Sequence, residues 1–200
     1  ASSDLTIACM GTSPLMEGEE SEAILAEETG DRADIGLPQA QVDFLRQLAA
    51  AGAKIVLVLA GGSAIALGDV ADLVEAIVFV WYPGQEGGAA VADVLFGDVN
   101  PSGKLTVTYP KQLSDSPAHA LDTYPGTNGT LFYKEGLLVG YRWFDTKNIE
   151  PEFPFGFGLS YTTFEYSNLK LVPRAGTNGP VVTAEFDLTK YVKPGKHLIA

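Results

Sequence analysis

The chain has 200 residues, 46% of them apolar, and a formal net charge of −12. That apolar share sustains a packed core and excludes a disordered chain. The excess of 25 acidic over 13 basic residues argues against nucleic acid and against an anionic membrane surface as partners.

The first predicted element is a short buried strand over residues 4–10, "DLTIACM". Behind it, "GTSPLMEGEESEAILAEETGDR" packs seven carboxylates and one base, Arg32, into residues 11–32. A helix is predicted over 39–52: Pro38 precedes it, Val42, Leu45, Leu48 and Ala49 share one face, and Gly52 suits its end. A continuous apolar strand follows over 53–62, then a short helix over 68–76 and a third strand over 76–84. A second good helix spans 86–98, with Val91, Val94 and Leu95 on one face and Gly97 at its end, and "GKLTVTYP" (103–110) reads as a fourth strand.

Strands that are apolar on both faces and separated by helices predict an α/β fold. The expected architecture is an open, mostly parallel sheet with helices on both faces over residues 1–120. Residues 121–163 read as an irregular, aromatic- and Gly-rich junction. Apolar–polar alternation over 164–172 and 180–192 predicts the start of an incomplete β-sandwich spanning 164–200. The single cysteine, Cys9, excludes an intrachain disulfide, and no apolar run approaches the length that spans a membrane. No signal peptide pattern is present, and "ASSDLTIACMG" reads like the interior of a longer protein.

In an open α/β sheet, ligands bind outside the carboxyl ends of the strands, and the acidic stretch begins at such an end. A long loop in a compact domain is usually functional or mobile. Its glutamates allow three readings. One is a general acid with a raised pKa. A second is a Ca²⁺ site, although the Asp-rich spacing of a calcium loop is missing. The third is a solvated loop. Asp31 and Arg32 read as a local, structural ion pair.

The other stretches are less suggestive of chemistry. "WYPGQEGG" (81–88) lacks a phosphate-binding pattern, and Glu86 at the helix start would repel an anion while stabilising the helix N-terminus. Trp81 is expected on a half-buried rim. "AGGSAIALG" (60–68) is not a nucleophile elbow, and His119 and His197 are the only bases a Ser-His-Asp site could use. One cysteine and two scattered histidines do not make a zinc site. "GYRWFD" (140–145) and "FPFGFGLSYTTF" (153–164) could stack on sugars, or cement a domain junction.

Together, "VWYPGQEGGAAVADVLFGDVNPSGKLTVTYPK", "VGYRWFD" and "FPFGFGLSYTTFEYSNLKL" resemble glycoside hydrolase family 3, and "GDRADIGLPQAQVDFLRQLA" fits the same pattern. The resemblance spans about residues 4–172. It implies the later part of the family's α/β sandwich domain followed by the start of a fibronectin type III-like domain. An N-terminal barrel domain is expected upstream, carrying the nucleophilic aspartate and most sugar contacts. Beyond about residue 175, "TAEFDLTKYVKPGKHLIA" departs from the fibronectin-like pattern and is similar to a segment of jelly-roll sugar-binding domains.

The resemblance also implies a role for the acidic loop. Members with an "LEGEE" loop match "MEGEE" (16–20), which makes Glu17 the expected general acid/base, with Glu19 the runner-up. The "AEETGDR" run resembles another form of the loop and leaves Glu27 third. Crowding by the neighbouring carboxylates would raise the pKa of the acid. The implied activity is that of a retaining exo-acting β-glycosidase of the β-glucosidase or β-xylosidase type, acting on a β-linked oligosaccharide or glycoside. Without the nucleophile domain the 200 residues are expected to be inactive. Neither a cofactor nor a metal is expected, and the expected setting is secreted or periplasmic. The alternative is a non-catalytic module that shapes the pocket of a barrel domain or binds carbohydrate.

Overall fold

The structure is a computed structural model that describes residues 3–17, 32, 34–163, 170–176 and 179–185. Glu19, Glu27 and residues 186–200, with their jelly-roll-like segment, lie outside the described residues. The chain divides into two compact units, one of residues 1–99 and 104–157 and one of residues 100–103 and 158–200.

In the first unit, β1 (Thr6–Gly11), β2 (Ile55–Ala60) and β3 (Ala76–Phe79) form an open parallel sheet in the order β1-β2-β3. Gly11 pairs with Ala60, and Leu59 with Phe79, so the strands' carboxyl ends lie level. The central strand, "IVLVLA", is apolar on both faces because it has a neighbour on each side and side chains above and below.

Helix α1 (Gln39–Ala50) covers one face. Its Leu45 is fully buried against Ile55, Leu57 and Leu59, and Val42, Leu48 and Ala49 pack beside it, as the sequence periodicity predicts. The 68–73 segment adds the buried Val70 to the same core. It is a short helix, as expected, of the 3-10 kind. The opposite face carries Leu5 and Ile7, both about half exposed, and the exposed Cys9. Helix α2 (Gly87–Phe96) ends at Gly97 as expected, while Glu86 stands at its N-cap without a side-chain hydrogen bond to the helix.

The expected fourth strand at 103–110 does not join the sheet. Its ends bond instead to the segment 152–157: the Tyr109 amide donates to the Phe153 carbonyl (2.9 Å), and the Gly156 amide to the Leu105 carbonyl (2.8 Å). Tyr109, buried between the rings of Phe79 (5.4 Å) and Phe153 (6.3 Å), fixes that course. The stretch expected to be irregular, 121–163, and the residues just before it include some regular structure. They hold the short helix α3 (Pro117–Ala120) and helix α4 (Tyr141–Lys147), whose Trp143 and Phe144 are buried. Trp143 Nε1 donates to the Asp115 carbonyl at 3.0 Å, tying α4 to the turn at 113–115 that precedes α3. The aromatics of "GYRWFD" and "FPFGFG" are thus partly spent on packing within this unit.

In the second unit, β4 (Lys170–Gly176) and β5 (Gly179–Glu185) form an antiparallel pair in which Gly176 faces Gly179. Asn100 belongs to the same unit: its Oδ1 accepts from the Tyr161 amide (2.9 Å) and from Ser160 Oγ (3.1 Å).

Candidate active site

Gly11 closes β1 with a φ of 135°, which lets the chain turn out of the sheet. Gln41 on α1 secures the turn: Gln41 Oε1 accepts from the Gly11 amide and Gln41 Nε2 donates to the Gly11 carbonyl, both at 2.8 Å. The next amide, of Thr12, still donates to the Ala60 carbonyl at 2.9 Å. A single turn then brings the Glu17 amide to the Ser13 carbonyl (3.0 Å) and places Glu17 over the carboxyl ends of β2 and β3.

Both Glu17 oxygens are occupied. Oε1 accepts from Arg32 Nη1 at 2.8 Å and from Ser63 Oγ at 3.2 Å. Oε2 accepts from the Gly62 amide at 2.9 Å and from the Tyr82 hydroxyl in a short hydrogen bond. Gly62 and Ser63 follow β2, and Tyr82 follows β3. Arg32 is itself braced, because its Nη2 donates to the Gly36 carbonyl at 2.9 Å. The pair is largely withdrawn from water, with side-chain exposures of 16% for Arg32 and 12% for Glu17. Thr12, also buried, stands 3.4 Å from the Tyr82 hydroxyl.

Burial of Glu17 pushes its carboxyl up, but the hydrogen bonds from Tyr82, the Gly62 amide and Thr12, with the charge of Arg32, outweigh it. The carboxyl is held below its ordinary value of 4.5. The shift is thus downward rather than in the expected upward direction, because donors and a guanidinium bond the carboxyl among the described residues. Burial and the bond to Glu17 push the Tyr82 phenol up from 10.0.

Sequence reasoning singled out Glu17 and placed the acidic loop at the correct end of the sheet. It read Arg32 as the partner of Asp31, which lies outside the described residues; the guanidinium reaches Glu17, fifteen positions earlier. It missed Gly62, Ser63 and Tyr82 as partners. The only available signal was their position just after β2 and β3, at the same sheet end. Among the described residues, no group of three or more His, Cys, Asp or Glu comes together to hold a metal.

An open parallel sheet with a charged cluster at the carboxyl ends of its strands defines an α/β domain built to present a site at that edge. The chain matches the glycosyl hydrolase family 3 C-terminal domain over residues 1–161, and it belongs to glycoside hydrolase family 3. It is 49% identical over 142 residues to a β-glucosidase of Bacteroides ovatus, covering 70% of this chain and 19% of that protein. It is 44% identical over 186 residues to a xylan 1,4-β-xylosidase of Xylanibacter ruminicola, covering 92% of this chain and 19% of the relative. The crystal structure of a family 3 β-glucosidase from Bifidobacterium adolescentis superposes with a TM-score of 0.75 at 37% identity, covering 90% of this chain and 25% of that one. The chain thus spans about a fifth of the length of these two curated relatives.

Proposed function

We propose that this chain is the α/β domain of a retaining, exo-acting β-glycosidase and that its acidic loop supplies the general acid/base. The names of its relatives support a terminal β-linked glucose or xylose as the sugar removed. A barrel domain upstream would contribute the nucleophile, since retaining chemistry needs a second carboxyl group about 5–5.5 Å away. The observation that carries the reading is the rooting of the acidic loop, in a chain of this family, at the carboxyl ends of the three strands.

The first step of such a mechanism needs a protonated carboxyl at the leaving oxygen. Glu17 leads as that group, since it stands at the start of the loop with its carboxyl over the ends of β2 and β3; Glu19, two positions further along "MEGEE", is the runner-up and Glu27 third. In this scheme the acid gives its proton to the departing glycosidic oxygen, and the same group then takes a proton from the water that releases the sugar. A secreted or periplasmic setting belongs to the same proposal.

The test uses the complete protein. It should hydrolyse aryl β-glucosides or β-xylosides. Glu17→Ala should lose most of its rate on poor leaving groups, and azide should restore turnover on activated ones. Wild-type-like rates for Glu17→Ala, Glu19→Ala and Glu27→Ala on a natural disaccharide would instead support the non-catalytic module.

A further inference from the structure

We propose that, in the glycosidase reading above, on which this rests, Tyr82 is a positioning residue for Glu17: its hydroxyl anchors Oε2 and stays bonded to it whether Glu17 is protonated or ionised.

The end of β3 delivers Tyr82 to that place. The Val80 amide donates to the Leu59 carbonyl at 2.9 Å and the Gly61 amide to the Trp81 carbonyl at 3.3 Å, so the backbone stays beside the end of β2 up to the residue before Tyr82. Trp81 then takes a φ of 54°, a left-handed conformation rare for a bulky residue. Such strain persists only where the surroundings hold it, and it clusters at functional sites. Here the Trp81 ring stands edge-on to Phe79, with centroids 4.5 Å apart. The turn brings the Tyr82 ring over Gly62. A Cβ on Gly62 would lie 2.9 Å from that ring and 3.0 Å from Glu17 Oε2, so a glycine leaves the room in which phenol and carboxylate meet. Tyr82 remains 42% exposed, at the opening of the site and not in the core.

The chemistry gives the hydroxyl its use. Glu17 passes its proton to the glycosidic oxygen while the bond from that oxygen to the sugar carbon breaks and the nucleophile's bond to that carbon forms. It later takes a proton from the water whose oxygen displaces the nucleophile. Arg32 and the Gly62 amide can only donate, so they suit the carboxylate alone. A hydroxyl also accepts. Tyr82 donates to Oε2 when that oxygen is bare. When Oε2 carries the proton, the phenol oxygen accepts it and its own hydrogen turns to Thr12 Oγ1, buried 3.4 Å away. Donation to the carboxylate is charge-assisted and the stronger of the two bonds, in line with the lowered carboxyl of Glu17. Arg32 and Tyr82 are the titratable groups bonded to Glu17 among the described residues. The nucleophile's charge would act on parent and variant alike.

The experiment compares the parent, Tyr82→Phe and Glu17→Ala in the complete protein, across pH, on aryl β-glucosides and β-xylosides. Tyr82→Phe keeps the ring and removes the hydroxyl. Its kcat should fall on the order of 10- to 100-fold, as a small misplacement of a catalytic group costs, with KM changed far less. Azide should not restore the rate, because the carboxyl is still present. The alkaline limb of kcat/KM should move to higher pH, since the carboxylate has lost a charge-assisted donor. One readout is independent of activity: in acid, the stabilisation from ionised Glu17 should vanish at a higher pH in Tyr82→Phe than in the parent, read from urea midpoints. Gly62→Ala, which forces ring and carboxylate apart, is the second variant and should move both limbs the same way. An alkaline limb that stays in place, or an unchanged kcat, would overturn the proposal by leaving Tyr82 a packing residue. If Glu17→Ala is as active as the parent, or the parent hydrolyses no glycoside, the glycosidase reading fails, while the acid unfolding limb still decides whether Tyr82 holds the Glu17 carboxylate.

Discussion

Gly11→Ala puts a methyl group where the sheet has no room for one. The added Cβ would lie 1.8 Å from the Ala60 carbonyl oxygen and 2.7 Å from its carbon, far inside van der Waals contact. Ala60 cannot retreat without losing its bond from the Thr12 amide, and Gly11 cannot shift without loosening both bonds to Gln41. Holding an L-residue at a φ of 135° costs about 1–3 kcal/mol. Two hydrogen bonds weakened at about 1 kcal/mol each bring the loss to about 3–5 kcal/mol. Gly52→Ala provides the control: its φ is also positive, at 77°, yet nothing lies within 4 Å of its Cβ. The left-handed conformation alone should cost it about 1–2 kcal/mol. Urea unfolding followed by circular dichroism measures both. A Gly11→Ala loss within about 1 kcal/mol of that for Gly52→Ala would refute the close contact at the end of β1.

Two further outcomes follow from buried groups. Burial pushes the Tyr109 phenol up, and its hydroxyl has no hydrogen-bond partner among the described residues. Tyr109→Phe should therefore cost nothing or gain up to about 1 kcal/mol, read from the urea midpoint, because an unmet polar atom leaves the core. The Glu17 carboxyl has a folded pKa below its ordinary 4.5, so its contribution to stability is fully present above that value. It is lost as pH falls through the lower folded value. Glu17→Gln should flatten that part of the stability profile between pH 5 and strongly acidic solution, and an unaltered acid limb in denaturation midpoints would contradict the ionised, bonded state.

The parallel sheet was legible in the sequence because "IVLVLA" is short, β-branched and stopped by two glycines, as a strand buried on two faces is, and because Val42, Leu45, Leu48 and Ala49 recur at helical spacing. Both are local patterns set by burial. The same logic failed at 103–110, where an apolar–polar run identical in kind to a strand takes its partners from residues 152–157. Alternation specifies an extended chain, not the chain it pairs with.

The candidate site divides along the same line. The loop's acidity and its start after β1 are properties of consecutive residues, and they single out "MEGEE" without a structure. What bonds the Glu17 carboxyl is not such a property. It depends on Arg32, Gly62, Ser63 and Tyr82, which stand 15, 45, 46 and 65 positions from Glu17 and converge only because the carboxyl ends of β1, β2 and β3 lie level. A raised pKa is the natural expectation for one acid among seven in sequence. Folding brings four donors from distant positions onto Glu17, and electrostatics follows distance in space rather than distance along the chain.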